Sequence, residues 1–304
     1  MTIKLHGLVA ATHTPFTADG ELNLAAVERQ AAHLLAAGVR AVFVAGTTGE
    51  SHSLTVDERL ALARRWADVA RGSGLRLVVH VGANCLADCR ALAADAERVG
   101  AAAVSALAPS YFKPKTLDAL VAGAADVAAA APGTPFYFYD IPAFTNVHFP
   151  MPDFLDAAHD RVPTLAGVKF SHTDLTAYQK CLHARGGRFD MPWGVDECLL
   201  AALAVGAVGG VGSSYNFAAP ISNRVIAAFE RGDLATARVE QFRSLQVIDL
   251  LAGFGYMAAA KVVMGFLGVA VGPARLPHTN LTADQTAALR AGLDRLGFFD
   301  WVKV

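Results

Sequence analysis

The sequence predicts an α/β fold, a (β/α)8 TIM barrel with a C-terminal helical extension, and three observations carry that prediction. Short β-rich apolar runs alternate with alanine-rich helical segments to about residue 220, the pattern of repeated βα units on a parallel sheet. Eight candidate strands occur in sequence, which suits a sheet closed on itself. The glycine fingerprint of an open dinucleotide-binding sheet is missing after the first strand, where the chain reads Ala11-Thr12-His13-Thr14-Pro15-Phe16, and no Walker lysine appears.

The expected strands are 7–12, 41–45, 75–81, 103–108, 136–140, 167–170, 189–192 and 207–211, with helices between them over 24–37, 57–70, 86–99, 117–131 and 175–184. Asp57 and Glu58 stand where acidic side chains suit a helix N-terminus. Beyond the eighth strand the chain reads as mostly helical, with helices over 234–251, 256–267 and 283–296. No Pro/Gly/Ser-rich linker separates them from the strands. The 304 residues are therefore expected to form one domain, 1–304, with the barrel over about 1–220 and the extension over about 221–304.

A formal net charge of −1 leaves no basic stripe for a phosphate backbone or an anionic membrane surface, so nucleic acid and membrane are not expected partners. The 54% hydrophobic content belongs to a core. The stretch 199–212 is punctuated by glycine and the apolar C-terminal region is cut by Asp249 and Lys261, whereas a span needs about 20 unbroken residues. Residues 1–7 carry no secretory signal pattern. Cys85, Cys89, Cys181 and Cys198 lack zinc spacing and disulfide density, which fits a reducing cytoplasm. Cys85 and Cys89 lie one helical turn apart and could face one another, yet the plain reading is that they are small buried hydrophobes.

Barrel chemistry sits at the C-terminal ends of the strands. The second strand ends in Gly46-Thr47-Thr48-Gly49-Glu50, where two glycines permit a tight turn and the N–H groups and hydroxyls make a nest suited to a carboxylate; an ordinary turn is the alternative. In Phe136-Tyr137-Phe138-Tyr139-Asp140 the two tyrosines share a face, and Tyr139 is nearest the strand end, as a proton-exchanging phenol or a core ring. Among 7 lysines against 19 arginines, Lys169 sits in the apolar run Leu165-Ala166-Gly167-Val168-Lys169-Phe170. Desolvation favours a neutral amine, the form that condenses with a carbonyl; the alternative is a lysine snorkelling from a strand edge. Lys261, in equally apolar company, falls on a helix of the extension and is expected to pack or snorkel.

The seventh strand leads into Trp193-Gly194-Val195-Asp196-Glu197 and the eighth into Gly212-Ser213-Ser214-Tyr215-Asn216. Asp196 and Glu197 could bind a polyol, charge a helix N-terminus or ligate metal. No histidine stands in ligand spacing with them, so no metal is expected. His13 and His80 are expected as core or rim residues.

Taken together and in this order, Gly46-Thr47-Thr48-Gly49-Glu50, Tyr139 before Ile141-Pro142, Lys169 in Gly-Val-Lys-Phe-Ser171 and Gly212-Ser213 resemble the pyruvate-dependent Schiff-base aldolase and dehydratase family, which includes N-acetylneuraminate lyases and dihydrodipicolinate synthases. The resemblance covers essentially the whole barrel. It implies catalysis by Lys169, as imine nucleophile, and by Tyr139, as proton shuttle. It places substrate on Thr47, Thr48, Ser171, Gly194, Asp196, Glu197 and Ser213, and sends Tyr111 toward a neighbouring subunit's site. It also implies a homotetramer, substrates of pyruvate and sugar-acid type, and no cofactor.

Within the family, synthases acting on aspartate semialdehyde place an arginine two residues after the Ile-Pro or Val-Pro pair. Here the residue is Phe144, which cannot grip a second carboxylate. Gly194-Val195-Asp196-Glu197, Gly212-Ser213-Ser214-Tyr215-Asn216 and Gly272-Pro273-Ala274-Arg275-Leu276-Pro277 resemble instead the sialate-cleaving members, which release pyruvate and N-acetylmannosamine from N-acetylneuraminate. Phe144, Asn146 and His172 depart from that pattern at positions expected near the sugar. The neighbouring reading is an aldolase or dehydratase of another 2-oxo acid, such as a 2-keto-3-deoxy sugar acid. A reading of another class is a non-catalytic binding or regulatory barrel, which would gain nothing from a buried reactive amine.

Overall fold

The computed structural model describes residues 4–303. The ends of the expected 1–304 domain, and part of the 1–7 stretch in which no signal pattern is read, lie outside the described residues. Seven parallel strands, β1 (Gly7–Ala11), β2 (Ala41–Val44), β3 (Arg76–His80), β4 (Ala103–Leu107), β5 (Phe136–Asp140), β6 (Leu165–Phe170) and β7 (Gly209–Gly212), pair in the order β6-β5-β4-β3-β2-β1-β7.

The expected strand at 189–192 is not formed as a strand, which is a correction to the sequence reading. The segment makes isolated bridges instead, Gly167 with Asp190, Phe170 with Trp193, and Trp193 with Gly210. Pro192 has no N–H to extend a ladder. The segment nonetheless bonds to both neighbours: Val168 N–H donates to Asp190 O at 3.1 Å, Phe170 N–H to Pro192 O at 3.1 Å, and Val211 N–H to Trp193 O at 2.7 Å. A Cβ at residue 167 would stand 1.6 Å from the Asp190 carbonyl oxygen, so Gly167 is what admits the segment beside β6.

Strand parity sorts side chains into two layers. Val9, Phe43, Val78, Leu107, Tyr137 and Tyr139 pack together on the inner face. Val42, Val79, Val104, Phe136 and Phe138 pack outward against the helices, where the Phe138 and Phe154 rings meet at 4.5 Å.

Those helices are α1 (Val27–Ala36), α2 (Val56–Ala70), α3 (Leu86–Arg98), α4 (Leu117–Ala128), α5 (Pro142–Thr145), α6 (Met151–Ala158), α7 (Leu175–His183), α8 (Leu199–Ala204) and α9 (Ala219–Glu230). The first expected helix begins as a 3-10 turn, Leu24–Ala26, before α1. α2 opens on a capping box: Glu58 N–H donates to Thr55 Oγ1, and Glu58 Oε2 accepts from Thr55 N–H. Cys89 is buried as expected, but Cys85, expected to be buried, is exposed because it caps α3 ahead of its first turn; Cys181 is buried and Cys198 partly exposed.

The C-terminal helices α10 (Leu234–Ala252), α11 (Tyr256–Phe266), α12 (Ala283–Leu296) and α13 (Phe298–Trp301) share a second core, built on Val247, Leu251, Val263, Met264, Leu289 and Phe298. Among the described residues no single helix is long and apolar enough to cross a membrane. α10 and α11 together reach the length but are bent by 113°.

Candidate active site

Lys169 and Tyr139 are register partners on β6 and β5, so parity turns both inward at the same height. Both are buried. The Lys169 Nζ lies 3.8 Å from the Tyr139 ring centroid and 4.3 Å from that of Phe43. The Tyr139 hydroxyl stands 3.2 Å from Thr47 Oγ1. His80 closes the aromatic wall, its ring edge-on to Tyr139 at 5.5 Å. Burial, then the charges of Arg59 and Lys169, hold the His80 imidazole well below its ordinary range and therefore neutral, in keeping with its expected place in the core.

After β2 the chain turns through two left-handed residues, Ala45 (φ 55°) and Glu50 (φ 54°), which bracket Thr47 and Thr48. The Glu50 N–H donates to Thr47 O at 3.0 Å, the Ser51 N–H to Gly46 O at 3.1 Å, and the Thr14 hydroxyl to Gly49 O at 2.6 Å. This turn presents both threonines to the cavity over Lys169.

Across the cavity, the segment after Trp193 lies against β6, and a Cβ at residue 194 would stand 2.0 Å from Ser171 Oγ. The Ser171 hydroxyl has no protein partner. Asp196 is buried, its Oδ2 accepting from the Ser214 N–H at 2.8 Å and the Ser214 hydroxyl at 2.6 Å. Burial pushes its carboxyl above the usual range, against the hydrogen bonds from Ser214. Glu197 is exposed at the rim. The turn 196–198 has the apolar Val195 at its cap position, so no side chain caps it, and the Asp196 and Glu197 carboxylates each interact with their own backbone N–H there. Ser213 Oγ meets the Tyr256 hydroxyl at 2.8 Å.

One cavity of about 300 Å³ brings these residues together: Thr47, Thr48, Tyr139, Lys169 and Ser171 line it with Gly194, Asp196, Glu197 and Ser213. Ile248, Tyr256 and Met257 also line it, from α10 and α11. The sequence reading assigned those helices to packing and missed them, because a tyrosine beginning a helix carries no local mark of function. A larger cavity of about 750 Å³ adjoins it, sharing Thr47, Phe144, Tyr256 and Met257.

Four expected positions fall elsewhere or serve otherwise. Tyr111 is 77% exposed and stacks edge-on against the 85% exposed Phe112, outside the cavity of its own chain. Asn146 and His172 are not beside the cavity, which corrects the expectation that they lie near the sugar. Asn146 (φ 50°) ends α5 and bonds His148 at 3.1 Å, and His172 turns to the outer side, with Nε2 2.9 Å from Asp140 Oδ2 and its ring 4.0 Å from that of Phe170. Phe144 does line the cavity. Lys261 is buried in an ion pair, its Nζ 2.6 Å from Glu50 Oε1, so it neither snorkels to solvent nor lines the cavity. Among the described residues no group of three or more His, Cys, Asp or Glu is placed to hold a metal ion.

Chemically, a buried primary amine packed on a phenol that reaches a threonine hydroxyl can add to a carbonyl and have protons moved beside it. The profile of the dihydrodipicolinate synthetase family matches residues 4–296. The N-acetylneuraminate lyase of Rattus norvegicus is 40% identical over 302 residues, covering 98% of this chain and 94% of the relative. The N-acetylneuraminate lyase structure from Proteus mirabilis superposes with a TM-score of 0.94 at 40% identity, covering 97% of this chain and 100% of that one. The native N-acetylneuraminate lyase structure from Aliivibrio salmonicida gives the same TM-score, 0.94, at 40% identity, covering 97% and 98%. On its cavity, its strand order and these likenesses, the chain belongs to the dihydrodipicolinate synthetase family.

Proposed function

We propose that this enzyme is a Schiff-base aldolase that cleaves N-acetylneuraminate to pyruvate and N-acetylmannosamine. The observation that carries the reading is the contact of Lys169 with Tyr139, whose hydroxyl reaches Thr47. The likeness to N-acetylneuraminate lyases over nearly the whole chain supports the substrate.

The Lys169 amine adds to the C2 carbonyl, and loss of water gives a protonated imine. Thr47 and Thr48 hold the adjoining carboxylate through N–H and hydroxyl groups. Tyr139 takes the proton of the C4 hydroxyl as the C3–C4 bond breaks. The bonding pair moves into the imine to give an enamine, and N-acetylmannosamine leaves as the aldehyde. Protonation at C3 and addition of water then return pyruvate and free Lys169. The scheme calls for no cofactor. The polyol projects toward Ser171, Gly194, Asp196, Glu197 and Ser213, where acceptors replace lost water. Phe144 offers no cation for a second carboxylate, which supports a sugar acid over aspartate semialdehyde.

The same reading takes the sheet and its bridged segment as a (β/α)8 barrel over about 1–220, with the extension over about 221–304 in one domain. It makes the protein a cytoplasmic homotetramer in which the exposed Tyr111 meets another copy. Borohydride reduction with pyruvate is expected to add a pyruvyl mass to the peptide holding Lys169. Label on Lys261, or none, overturns the mechanism. Release of pyruvate from a shorter keto-deoxy acid but not from N-acetylneuraminate overturns the substrate.

A further inference from the structure

A fully buried charge pair lies just behind the threonine turn. Glu50 closes that turn in a left-handed conformation that a glutamate adopts only when its surroundings hold it there. Its carboxylate forms an ion pair with Lys261, Oε1 standing 2.6 Å from Nζ, and accepts from the Arg275 N–H at 2.8 Å through Oε2. Lys261 Nζ also donates to Pro273 O at 2.8 Å and lies 4.3 Å from the Phe16 ring centroid. The two side chains are 1% and 0% exposed, so water cannot substitute for either partner. Lys261 stands on α11, the helix whose first residue, Tyr256, lines the cavity and meets Ser213.

We propose that Lys261 is a positioning residue that, through Glu50, holds the Thr47–Thr48 turn of the barrel in register for the substrate carboxylate. The inference rests on the reading that Thr47 and Thr48 receive that carboxylate. The extension thereby fixes the carboxylate end of the site as well as packing on the barrel. Charge on one partner alone would be left buried and unpaired, so the informative variant removes both: Glu50→Gln/Lys261→Met keeps size and Glu50's acceptor for Arg275 while deleting the ionic tie to α11.

The full-length protein is titrated with pyruvate, reduced with borohydride, and scored by mass for half-maximal and maximal labelling of Lys169. The double variant is expected to need about tenfold more pyruvate for half-maximal labelling while reaching the same plateau. A thermal unfolding curve run alongside separates roles, since a purely structural pair lowers the midpoint and leaves the pyruvate titration unmoved, which overturns the proposal. Loss of the plateau in folded protein also overturns it, because imine formation rather than carboxylate binding would then be affected. Thr47→Ala/Thr48→Ala is titrated in parallel. If it weakens pyruvate and the double variant does not, the inference alone falls; if it leaves pyruvate unchanged, the assignment of the turn to the carboxylate falls first. Should Glu50→Gln/Lys261→Met fail to fold, Lys261→Arg keeps the charge but alters its reach, and the same rise in half-maximal pyruvate is expected.

Discussion

Tyr139 touches Lys169 through its ring and Thr47 through its hydroxyl, so its two ends serve different purposes. Tyr139→Phe keeps the ring against the amine and deletes only the hydroxyl proposed to carry the proton. Turnover is expected to fall roughly 10²-fold while borohydride labelling of Lys169 by pyruvate is largely retained. Equal turnover would remove the phenol from the reaction. Asp196 carries the opposite kind of cost. Burial pushes its carboxyl up, so the folded state prefers the protonated form. Its contribution to stability is therefore full below the ordinary carboxylate value of 3.8 and is lost as pH rises through the raised folded value. Asp196→Asn, which can still accept from Ser214, is expected to flatten that decline in a pH series of unfolding midpoints. The same variant should lower kcat/KM for N-acetylneuraminate while leaving pyruvate labelling nearly intact. An unchanged pH series and unchanged kcat/KM would leave Asp196 as packing.

At the scale of elements, the site depends on how closely the 189–194 segment approaches β6. Gly167 admits its middle, and Gly194 admits its end, where the Gly194 N–H donates to Phe170 O at 2.7 Å. Gly194→Ala would set a methyl 2.0 Å from Ser171 Oγ, and that group must move or the segment must withdraw. Withdrawal shifts Asp196 and Glu197 away from Lys169, while movement of Ser171 takes its hydroxyl out of its place in the cavity lining. The expected result is a fall of at least roughly tenfold in kcat/KM for the sugar acid, with half-maximal pyruvate labelling much less changed. Steady-state kinetics on both ligands decide it, and an active Gly194→Ala enzyme would show that the segment yields without consequence.

Across the whole molecule, two large rings stand open to solvent, Tyr111 at 77% and Phe112 at 85% exposure, on a loop fixed by Asn84 Oδ1 accepting from the N–H groups of Ser110 and Tyr111. Loop fixing and apolar exposure together suit a preformed contact with another copy. Tyr111→Ser/Phe112→Ser is expected to lower the mass measured by light scattering at micromolar protein without unfolding the chain. A wild-type protein that is monomeric at that concentration contradicts the assembly.

Period and composition alone determined the alternation of strands and helices, the inward face shared by Tyr137 and Tyr139, and the singular position of Lys169, because each depends on residues close in sequence. Motif order added the threonine turn and the Gly194–Glu197 rim. Pro192 already argued in the sequence against a regular strand at 189–192, but only the tertiary structure decided that the segment would lie bridged beside β6, since that turns on a carbonyl of Asp190 meeting a glycine on another strand. It likewise turned His172 outward to Asp140, brought Tyr256 from the extension into the cavity, and engaged Lys261 with Glu50. Those partners lie between 32 and 211 residues apart (His172 with Asp140, Lys261 with Glu50), and no local pattern encodes a contact made by chain closure and packing.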